Sequence, residues 1–368
     1  LILGAAFAGL VYVILAIAVK AAGVQWINKL MPAVVIGPTV AIIGLSLAGN
    51  AVGDMLRGDV TIENVAAASP NVALLCGLVT LFVVIICSIF GSKRARLVPF
   101  IIGIMAGYAV ALAFTLIGMA TGNDSLLIID FAPFKALVAD GVTLKTFLTL
   151  PEFTFVTALK GVGELNGAYV GAIAVAYVPV AFVVFAEHIA DHKNLSTIIN
   201  QDLLTDPGLA RTLLGDGIGS MAGAFFGGCP NTTYGESVGC VAITRNASVV
   251  SITGAAVLAM LVAFLSPVVA FLDSIPACVM GGVCLTLYGF IAVSGLKMCQ
   301  DVDLNDNRNL FVVSAILIAG VGGLTLTFGK VTITSVACAL ILGILVNVVV
   351  RRKDHPEGQE HEPQQVIK

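Results

Sequence analysis

The chain has 368 residues, of which 58% are hydrophobic and 11% are charged, with a net charge of −3 and a mean hydropathy of +1.02. A soluble domain carries roughly 25% charged residues, so this composition excludes the soluble globular class. The apolar runs are long enough to cross a ~30 Å hydrocarbon core as helices, whereas a β-barrel would show short alternating segments.

The hydropathy pattern predicts an all-α polytopic membrane protein with about eleven spans. In chain order the predicted spans are 1–19, 27–49, 70–90, 97–119, 171–193, 208–227, 231–246, 248–272, 276–296, 309–328 and 331–350. Pro and Gly lie at the start of or within the segments near 231–246 and 276–296, and they do not sustain a straight helix. We therefore expect these two segments to be partly unwound half-helices.

Positively charged residues follow alternate spans and predict the orientation. This basic set is Lys20, Lys93, Arg94, Arg96, Lys193, Arg245, Lys297, Arg351, Arg352 and Lys353. The opposite loops are richer in acidic residues, so the positive-inside rule places the basic set in the cytoplasm. The tail 351–368 is then predicted to be cytoplasmic and disordered. Eleven spans with this orientation put Leu1 outside, so we expect an odd number of spans before it.

A short sequence repeat, called here the Pro-Ala echo, predicts a duplicated fold. The sequence Pro-Ala-Val-Val-Ile-Gly (32–37) opens one span, and Pro-Ala-Cys-Val-Met-Gly (276–281) opens another. The first span is predicted to run outward and the second inward. Opposite orientations of related segments are typical of inverted-repeat transporters.

The cysteines and the overall charge give no sign of a metal, a cofactor or a nucleic-acid partner. The chain has eight cysteines, most of them inside apolar spans, and no CxxC pair or His-rich spacing accompanies them. We interpret them as small buried hydrophobic residues and expect neither disulfides nor zinc.

Two glutamates inside apolar stretches carry the main functional signal. Glu187 ends the run VAYVPVAFVVFAE, and Glu236 lies in GGCPNTTYGESVGCVAIT. A charged side chain at the bilayer centre costs about 2.5–3.5 kcal/mol on insertion scales. The pair therefore predicts a site for a polar solute or a proton near the middle of the membrane.

The stretch 227–244 is expected to hold part of that site. Gly227, Gly228 and Pro230 interrupt a helix, and the polar residues 231–233 favour a helix cap. Glu236 then falls at the start of the next helix, where free N–H groups and a positive dipole end favour anionic groups. The alternative is a re-entrant turn near one surface with Glu236 in water.

Glu187 has a second acidic residue one turn later, because Asp191 lies on the same helical face. If the helix ends at Lys193, Glu187 lies at the membrane interface. If it continues to Asn200, Glu187 lies near mid-depth. His188 points away from the acidic face, and we interpret it as a structural histidine rather than a ligand.

Two further polar residues inside apolar spans are candidate members of the site. Tyr288, on the span that begins at Pro276, is either a stacking partner for a flat solute or a core tyrosine. Asp216 lies in a glycine-rich span, and we interpret it as a near-surface structural residue.

Several motifs resemble the nucleobase/ascorbate transporter family, and most closely its bacterial uracil permease branch. They are Ala-Glu-His-Ile (186–189), Asp-Pro-Gly-Leu (206–209) and Pro-Asn-Thr-Thr-Tyr-Gly-Glu (230–236). The family signature reads Gln/Glu/Pro, Asn, any residue, Gly, four of any, Thr, then Arg/Lys/Gly. It is matched by Glu236, Gly239, Thr244 and Arg245, whereas Ser237 stands where Asn is usual.

The resemblance implies a 7+7 inverted-repeat transporter fold with core and gate domains, about 11 of its 14 segments being present. Two short strands at mid-depth would interrupt broken helices. Residues 1–120 would then be the last four segments of the first repeat, with the first three absent. Residues 121–170 would be an extracellular connection, 171–350 the second repeat, and 351–368 the cytoplasmic tail.

The resemblance also implies roles for particular residues. Substrate would be bound by Glu187, Glu236, Tyr234, Gly235 and Tyr288, with the backbone of Tyr234 and Gly235 against the base. Glu187 and Asp191 would couple transport to protons. Asp191 stands where a well-known uracil/proton symporter of the family has His, and Cys284 stands where it has Ser.

The expected function is proton-coupled symport of uracil, or of a close pyrimidine, across the inner (plasma) membrane by a multi-pass protein. Its expected partners are the nucleobase, protons, membrane lipid and a second copy in a homodimer. A purine (xanthine or urate) permease of the same family is the alternative. An anion exchanger ranks lower because the site is acidic, and an enzyme is not expected because no nucleophile–base pair or metal set is evident.

Overall fold

The computed structural model describes residues 2–23, 25–62, 65–139, 141–150, 154–161, 163, 165–234, 237–238, 241, 245–300, 302–328 and 331–351. Its helices begin with α1 (Ile2–Ala22), the short α2 (Gln25–Leu30), α3 (Ala33–Met55), α4 (Pro70–Phe90) and α5 (Pro99–Thr121). The connection that follows carries α6 (Ala132–Leu137), α7 (Leu144–Phe147) and α8 (Thr154–Lys160). The rest of the chain forms α9 (Gly167–Ile199), α10 (Leu209–Phe225), α11 (Val249–Val262), α12 (Ser266–Asp273), α13 (Ala277–Met298), α14 (Asn307–Val321) and α15 (Ser335–Arg351).

Short strands and turns join these helices. Strands β1 (Thr61–Ile62) and β2 (Val65–Ala66) pair antiparallel, as do β3 (Leu326–Phe328) and β4 (Val331–Ile333). Within the described residues, both pairs lie in connections between helices. The described part of 231–246 contains no strand, so the strands expected inside broken helices are not found there.

Six of the described helices are long and apolar enough to cross a membrane, namely α1, α3, α4, α5, α9 and α13. Helices α11, α14 and α15 are shorter and also apolar. The prediction of a mostly helical, multi-pass membrane protein is confirmed.

Several predicted boundaries are corrected. The span predicted at 276–296 is a continuous helix, and its prediction as a broken segment is wrong because Pro276 is the N-cap and lies before the first turn. The span predicted at 27–49 starts later, at Ala33, since Pro32 separates it from α2. The span predicted at 248–272 is two helices, because the chain leaves α11 at Val262 and restarts at Ser266 with Pro in the first turn.

The buried apolar side chains form two clusters. The larger one joins α1, α3, α9, α10, α14 and α15, and its fully buried members include Phe185, Ile36 and Leu213. The smaller one joins α4, α5 and the start of α13, with Ile128 and Ile129 from the connection. Burial of such side chains inside the bundle fixes how the helices pack, so the site inherits its geometry from them.

Glycines let α3 and α13 cross closely in antiparallel fashion. A Cβ on Gly37 would meet Gly295 and Cys299 near the end of α13, and a Cβ on Gly281 would meet Ala51 and Met55 near the end of α3. Both glycines end the Pro-Ala echo of their helix. Each copy of the echo therefore begins one helix and packs on the far end of the other.

A second glycine crossing joins α1 to α10 and prepares the candidate site. Gly9 and Gly217 face each other, and a Cβ on either would meet the carbonyl oxygen of the other at 2.6–2.7 Å. Tyr12 lies one turn beyond Gly9, with its Cβ 3.0 Å from the position a Cβ would take on Gly217. The crossing thus brings Tyr12 of α1 alongside α10.

The α3–α13 crossing predicts opposite effects for two glycines of one helix. In Gly44→Ala the new methyl group would fall on the Tyr288 carbonyl oxygen and on Ala292, whereas Gly49 has nothing within 4 Å. We expect Gly44→Ala to lower the free energy of unfolding by about 1–3 kcal/mol through overpacking. Gly49→Ala should leave it unchanged or raise it by about 0.5–1 kcal/mol. Thermal unfolding in detergent measures both, and equal effects of the two substitutions would contradict this packing.

The start of α13 predicts a dependence of stability on pH. Asp59 Oδ1 accepts the Ala277 N–H at 3.1 Å, and burial raises the pKa of this carboxyl above its usual range. Because the folded protein then binds this proton more tightly than the unfolded chain, the contribution is present at low pH and is lost as pH rises through the folded pKa. Asp59→Asn keeps the acceptor oxygen, so it should raise the melting temperature at neutral pH. The gain should vanish below the usual aspartate range, and a lower melting temperature at neutral pH would contradict the prediction.

Candidate functional site

Helix α9 carries the first glutamate well inside its length. Asn166 caps its start by accepting the Tyr169 N–H at 2.7 Å, and Asn200 ends it in the left-handed conformation. Glu187 is therefore about 18 Å from the end of the helix at 1.5 Å per residue. The alternative in which the helix ends at Lys193 is wrong, because the helix continues to Ile199. The depth of Glu187 in the membrane stays a prediction.

Glu187 reaches an unwound segment that follows α10. Helix α10 ends at Phe225, and Gly227 turns the chain with a φ of +83°, which favours glycine. Residues 229–234 are non-helical, as the sequence predicts. From this segment the Thr232 hydroxyl donates to Glu187 Oε2 at 3.1 Å.

Asp191 meets the next residue of the same segment. Its carboxyl is buried, with 7% of the residue exposed, and the Thr233 hydroxyl lies beside it. Within the described residues, neither Asp191 Oδ2 nor Thr233 Oγ1 has a partner in hydrogen-bond geometry. Two acids one turn apart on α9 thus face two consecutive threonines.

A cavity of ≈300 Å³ lies against the start of the unwound segment, at Pro230 and Asn231. It is lined by Ala8, Tyr12, Ala176, Tyr177, Val180, Ala181, Val184, Pro230, Asn231, Thr332 and Thr334. Val180 and Val184 lie seven and three residues before Glu187, so all three share one face of α9. Two larger cavities, of ≈570 Å³ and ≈790 Å³, lie elsewhere. The smaller one is the better candidate, because the buried Tyr12 and two residues of the unwound segment, Pro230 and Asn231, line it together.

The other predicted site residues are placed as follows. Tyr234 is 61% exposed, and its carbonyl accepts the Ser237 N–H at 2.9 Å. Arg245 has a φ of +56°. Gly235, Glu236, Gly239 and Thr244 lie outside the described residues. The structure therefore brings Glu187 and Asp191 together with Thr232 and Thr233, while the place of the second glutamate stays a prediction.

Tyr288 lies on α13, which touches α9 near the site. Asn194 Nδ2 donates to Ser294 Oγ at 3.0 Å and joins the two helices. Glu187 and Tyr288 each lie within two turns of this contact along their own helices, about 10 Å. The Tyr288 side chain lies beside Cys284.

The sequence missed a polar cluster behind Glu187. His188 is 2% exposed, and its Nδ1 lies 2.9 Å from Asp216 Oδ2. Asp216, interpreted from the sequence as near-surface and structural, has a side chain that is 18% exposed and faces His188. The helical spacing of Thr212 and Asp216 on α10 is the signal that could have found it, since residues four apart share a face.

The same cluster contains Tyr12 and His192. The Tyr12 ring meets the His188 ring edge-on at 6.1 Å, and the His192 ring stacks on His188 at 4.2 Å. The Tyr12 hydroxyl is buried and has no hydrogen-bond partner within the described residues. Among those residues, no group of three or more His, Cys, Asp or Glu side chains is placed to hold a metal ion.

An apolar bundle of membrane-length helices, with polar groups converging on an unwound segment and a cavity, defines a polytopic membrane transporter. The model of the Permease family (Xan_ur_permease) matches residues 1–329. The chain belongs to this family.

Curated relatives agree with this assignment over nearly the whole chain. The uracil permease of Bacillus caldolyticus is 38% identical, across 95% of this chain and 74% of that protein. The uracil permease of Bacillus subtilis (strain 168) is 36% identical, across 98% and 76%. The uracil permease of Escherichia coli (strain K12) is 33% identical, across 93% and 72%. Because the relatives are permeases, the prediction of a transporter rather than an enzyme is confirmed.

The unpaired hydroxyl of Tyr12 predicts a contrast between two buried tyrosines. Tyr12→Phe removes a hydroxyl that lacks a partner, so the free energy of unfolding should stay unchanged or rise by about 1–3 kcal/mol. Tyr108→Phe removes a hydroxyl that lies 3.0 Å from Ser274 Oγ and should lower it by about 0.5–1.5 kcal/mol. Thermal unfolding in detergent compares them, and a larger loss in Tyr12→Phe would show that its hydroxyl has a partner.

Proposed function

We propose that this chain carries uracil, or a close pyrimidine nucleobase, together with protons into the cell. Its relatives named uracil permeases support the substrate. The observation that supports the proposal for the site is the contact between Glu187 and Thr232, an acidic acceptor against an unwound segment whose Pro230 and Asn231 line a cavity. Transporters often build a solute site from such interrupted helices.

Substrate recognition is proposed to rest on Glu187, Glu236, Tyr234, Gly235 and Tyr288. A flat base with ring N–H groups needs acceptors, and a carboxylate accepts such bonds more strongly than a neutral oxygen does. Glu236 would supply the second acceptor from the start of the helix after the break. The ring of Tyr288 would pack on the base from α13.

Proton coupling is proposed to involve Glu187 and Asp191. The two carboxyl groups lie one turn apart, and two like charges in a water-poor region disfavour each other. Binding a proton to one of them relieves that repulsion. A carboxyl that gains or loses a proton as its surroundings change is therefore suited to link proton movement to the movement of the base.

The transport cycle is proposed to be alternating access in a 7+7 inverted repeat. The antiparallel crossing of α3 and α13, each begun by the same Pro-Ala echo, supports two related halves of opposite orientation. In this proposal residues 1–120 belong to the first repeat and 171–350 to the second. Residues 121–170 lie outside, and the tail 351–368 lies in the cytoplasm. The protein would be a homodimer in the lipid of the inner membrane.

Uptake of radiolabelled uracil against external pH tests the function, in cells that lack their own uracil permease. We expect Glu236→Ala to abolish uracil uptake, because the base loses an acceptor. Glu187→Gln should leave uptake that no longer responds to the pH gradient, because the amide cannot bind a proton. Asp124→Asn, at an exposed carboxyl outside the spans, is the control.

Competition by unlabelled xanthine separates the two substrate classes. Loss of labelled uracil uptake to xanthine at equal concentration would favour the purine alternative. Wild-type rates in both glutamate variants would show that the site lies elsewhere.

A further inference from the structure

Both ring nitrogens of His188 are engaged inside the bundle. Nδ1 lies 2.9 Å from Asp216 Oδ2, and Nε2 lies 3.0 Å from Thr212 Oγ1. Asp216 and Thr212 are one turn apart on α10, so a single face of that helix holds the imidazole from both sides. The ring is 2% exposed, which removes water as an alternative partner.

The hydroxyl of Thr212 can serve either protonation state of this ring. Thr212 Oγ1 lies 3.1 Å from the Leu209 carbonyl as well as 3.0 Å from His188 Nε2. With neutral His188, Nδ1–H donates to Asp216 and the Thr212 hydroxyl donates to Nε2. With protonated His188, Nε2–H donates to Thr212, whose own hydrogen turns to the Leu209 carbonyl. Every donor has an acceptor in both states, and the added positive charge lies against the Asp216 carboxylate.

The pair is also connected to the candidate substrate site. Ser220, one turn after Asp216 on α10, accepts the Asn231 N–H at 2.8 Å, and Thr232 donates to Glu187. Glu187 is the neighbour of His188 on α9. Hydrogen bonds and two helices therefore form a closed ring that starts and ends at adjacent residues.

The titratable groups on or near the pair come from three helices. They are Tyr12 of α1, Glu187, Asp191 and His192 of α9, and Asp216 of α10 itself. His192 donates from Nδ1 to the His188 carbonyl at 2.8 Å, so its ring is held by the backbone. Asp216 is the one carboxyl that contacts the His188 ring in the part of the chain that the structure describes.

We propose that His188 and Asp216 form a second proton-binding site, which titrates during transport and positions Glu187 through the ring of hydrogen bonds. The inference builds on the proposed function, because it adds a residue pair to proton-coupled transport. The proton binds at His188 Nε2, no other covalent bond is made or broken, and the Thr212 hydroxyl turns from Nε2 to the Leu209 carbonyl. Asp216 is a positioning residue that stabilises the imidazolium.

Nuclear magnetic resonance of the ¹⁵N-histidine-labelled full chain tests proton binding without transport. The chain has four histidines, and His188→Gln assigns the signal of His188. In Asp216→Asn the imidazolium loses its carboxylate, so the His188 titration midpoint should move to lower pH by about 1 unit or more. An unchanged midpoint would overturn the proposal.

Thr212 provides a second and milder test should Asp216→Asn fold poorly. Thr212→Val removes the acceptor of Nε2–H in the charged ring and the donor to Nε2 in the neutral ring. Because an unpaired group on a charged ring costs more than one on a neutral ring, the midpoint should also move to lower pH. Thr212→Ser should keep the wild-type midpoint. Thr39→Val, at a buried threonine that bonds its own helix at the Val35 carbonyl, is the matched control. A Thr212→Val midpoint equal to that of wild type would contradict the hydrogen-bond arrangement.

Uracil uptake against pH then separates this inference from the proposed function. If wild type takes up uracil, we expect the pH profile of Asp216→Asn to shift in the same direction as the His188 midpoint. A shifted midpoint with a wild-type uptake profile would overturn the role in transport. If wild type takes up no uracil, the proposed function fails, and the role of the pair in uracil transport is overturned with it. The titration of His188 still decides whether the pair binds a proton.

Discussion

Backbone that leaves the helical state inside an apolar bundle must have its polar groups satisfied by side chains, and the rest of the site depends on how this is done. Ser220 of α10 does this for the Asn231 N–H, which it accepts at 2.8 Å. Glu187 of α9 holds the same segment by a side-chain contact, because it accepts the Thr232 hydroxyl at 3.1 Å. The acid that is proposed to bind substrate therefore also holds the segment next to the substrate.

Glycine crossings make these contacts possible, because they decide which polar residues meet. The close approach of Gly9 and Gly217 brings α1 against α10, and Tyr12 then reaches the edge of the His188 ring. The crossing of α3 and α13 acts in the same way at the other side, where it fixes α13 and with it Tyr288. Side-chain volume is thus removed at a few positions so that helices can bring larger groups together.

The sequence predicted the class of fold and part of the site, and the remainder depends on packing between helices. Length and hydropathy were enough for the span at 70–90, and Gly and Pro were enough for the break after α10. The same residue types misled at 276–296, because a proline before the first turn begins a helix instead of breaking it. The contact of Asp216 was missed for a related reason, since a single sequence does not show that His188 of another helix faces it. Residues 235 and 236 lie outside the described structure, so their roles remain predictions.

Two adjacent residues of α9, Glu187 and His188, link the proposed substrate site to the proposed proton site. Successive side chains on a helix are about 100° apart, so Glu187 and His188 face different neighbours. Glu187 faces the unwound segment and His188 faces α10, while Ser220 and Asn231 join those two neighbours to each other. A displacement of α10 along α9 must therefore break the His188–Asp216 contact or pull the segment away from Glu187. In the proposed cycle, movement of the base and of the proton would follow from this one mechanical link.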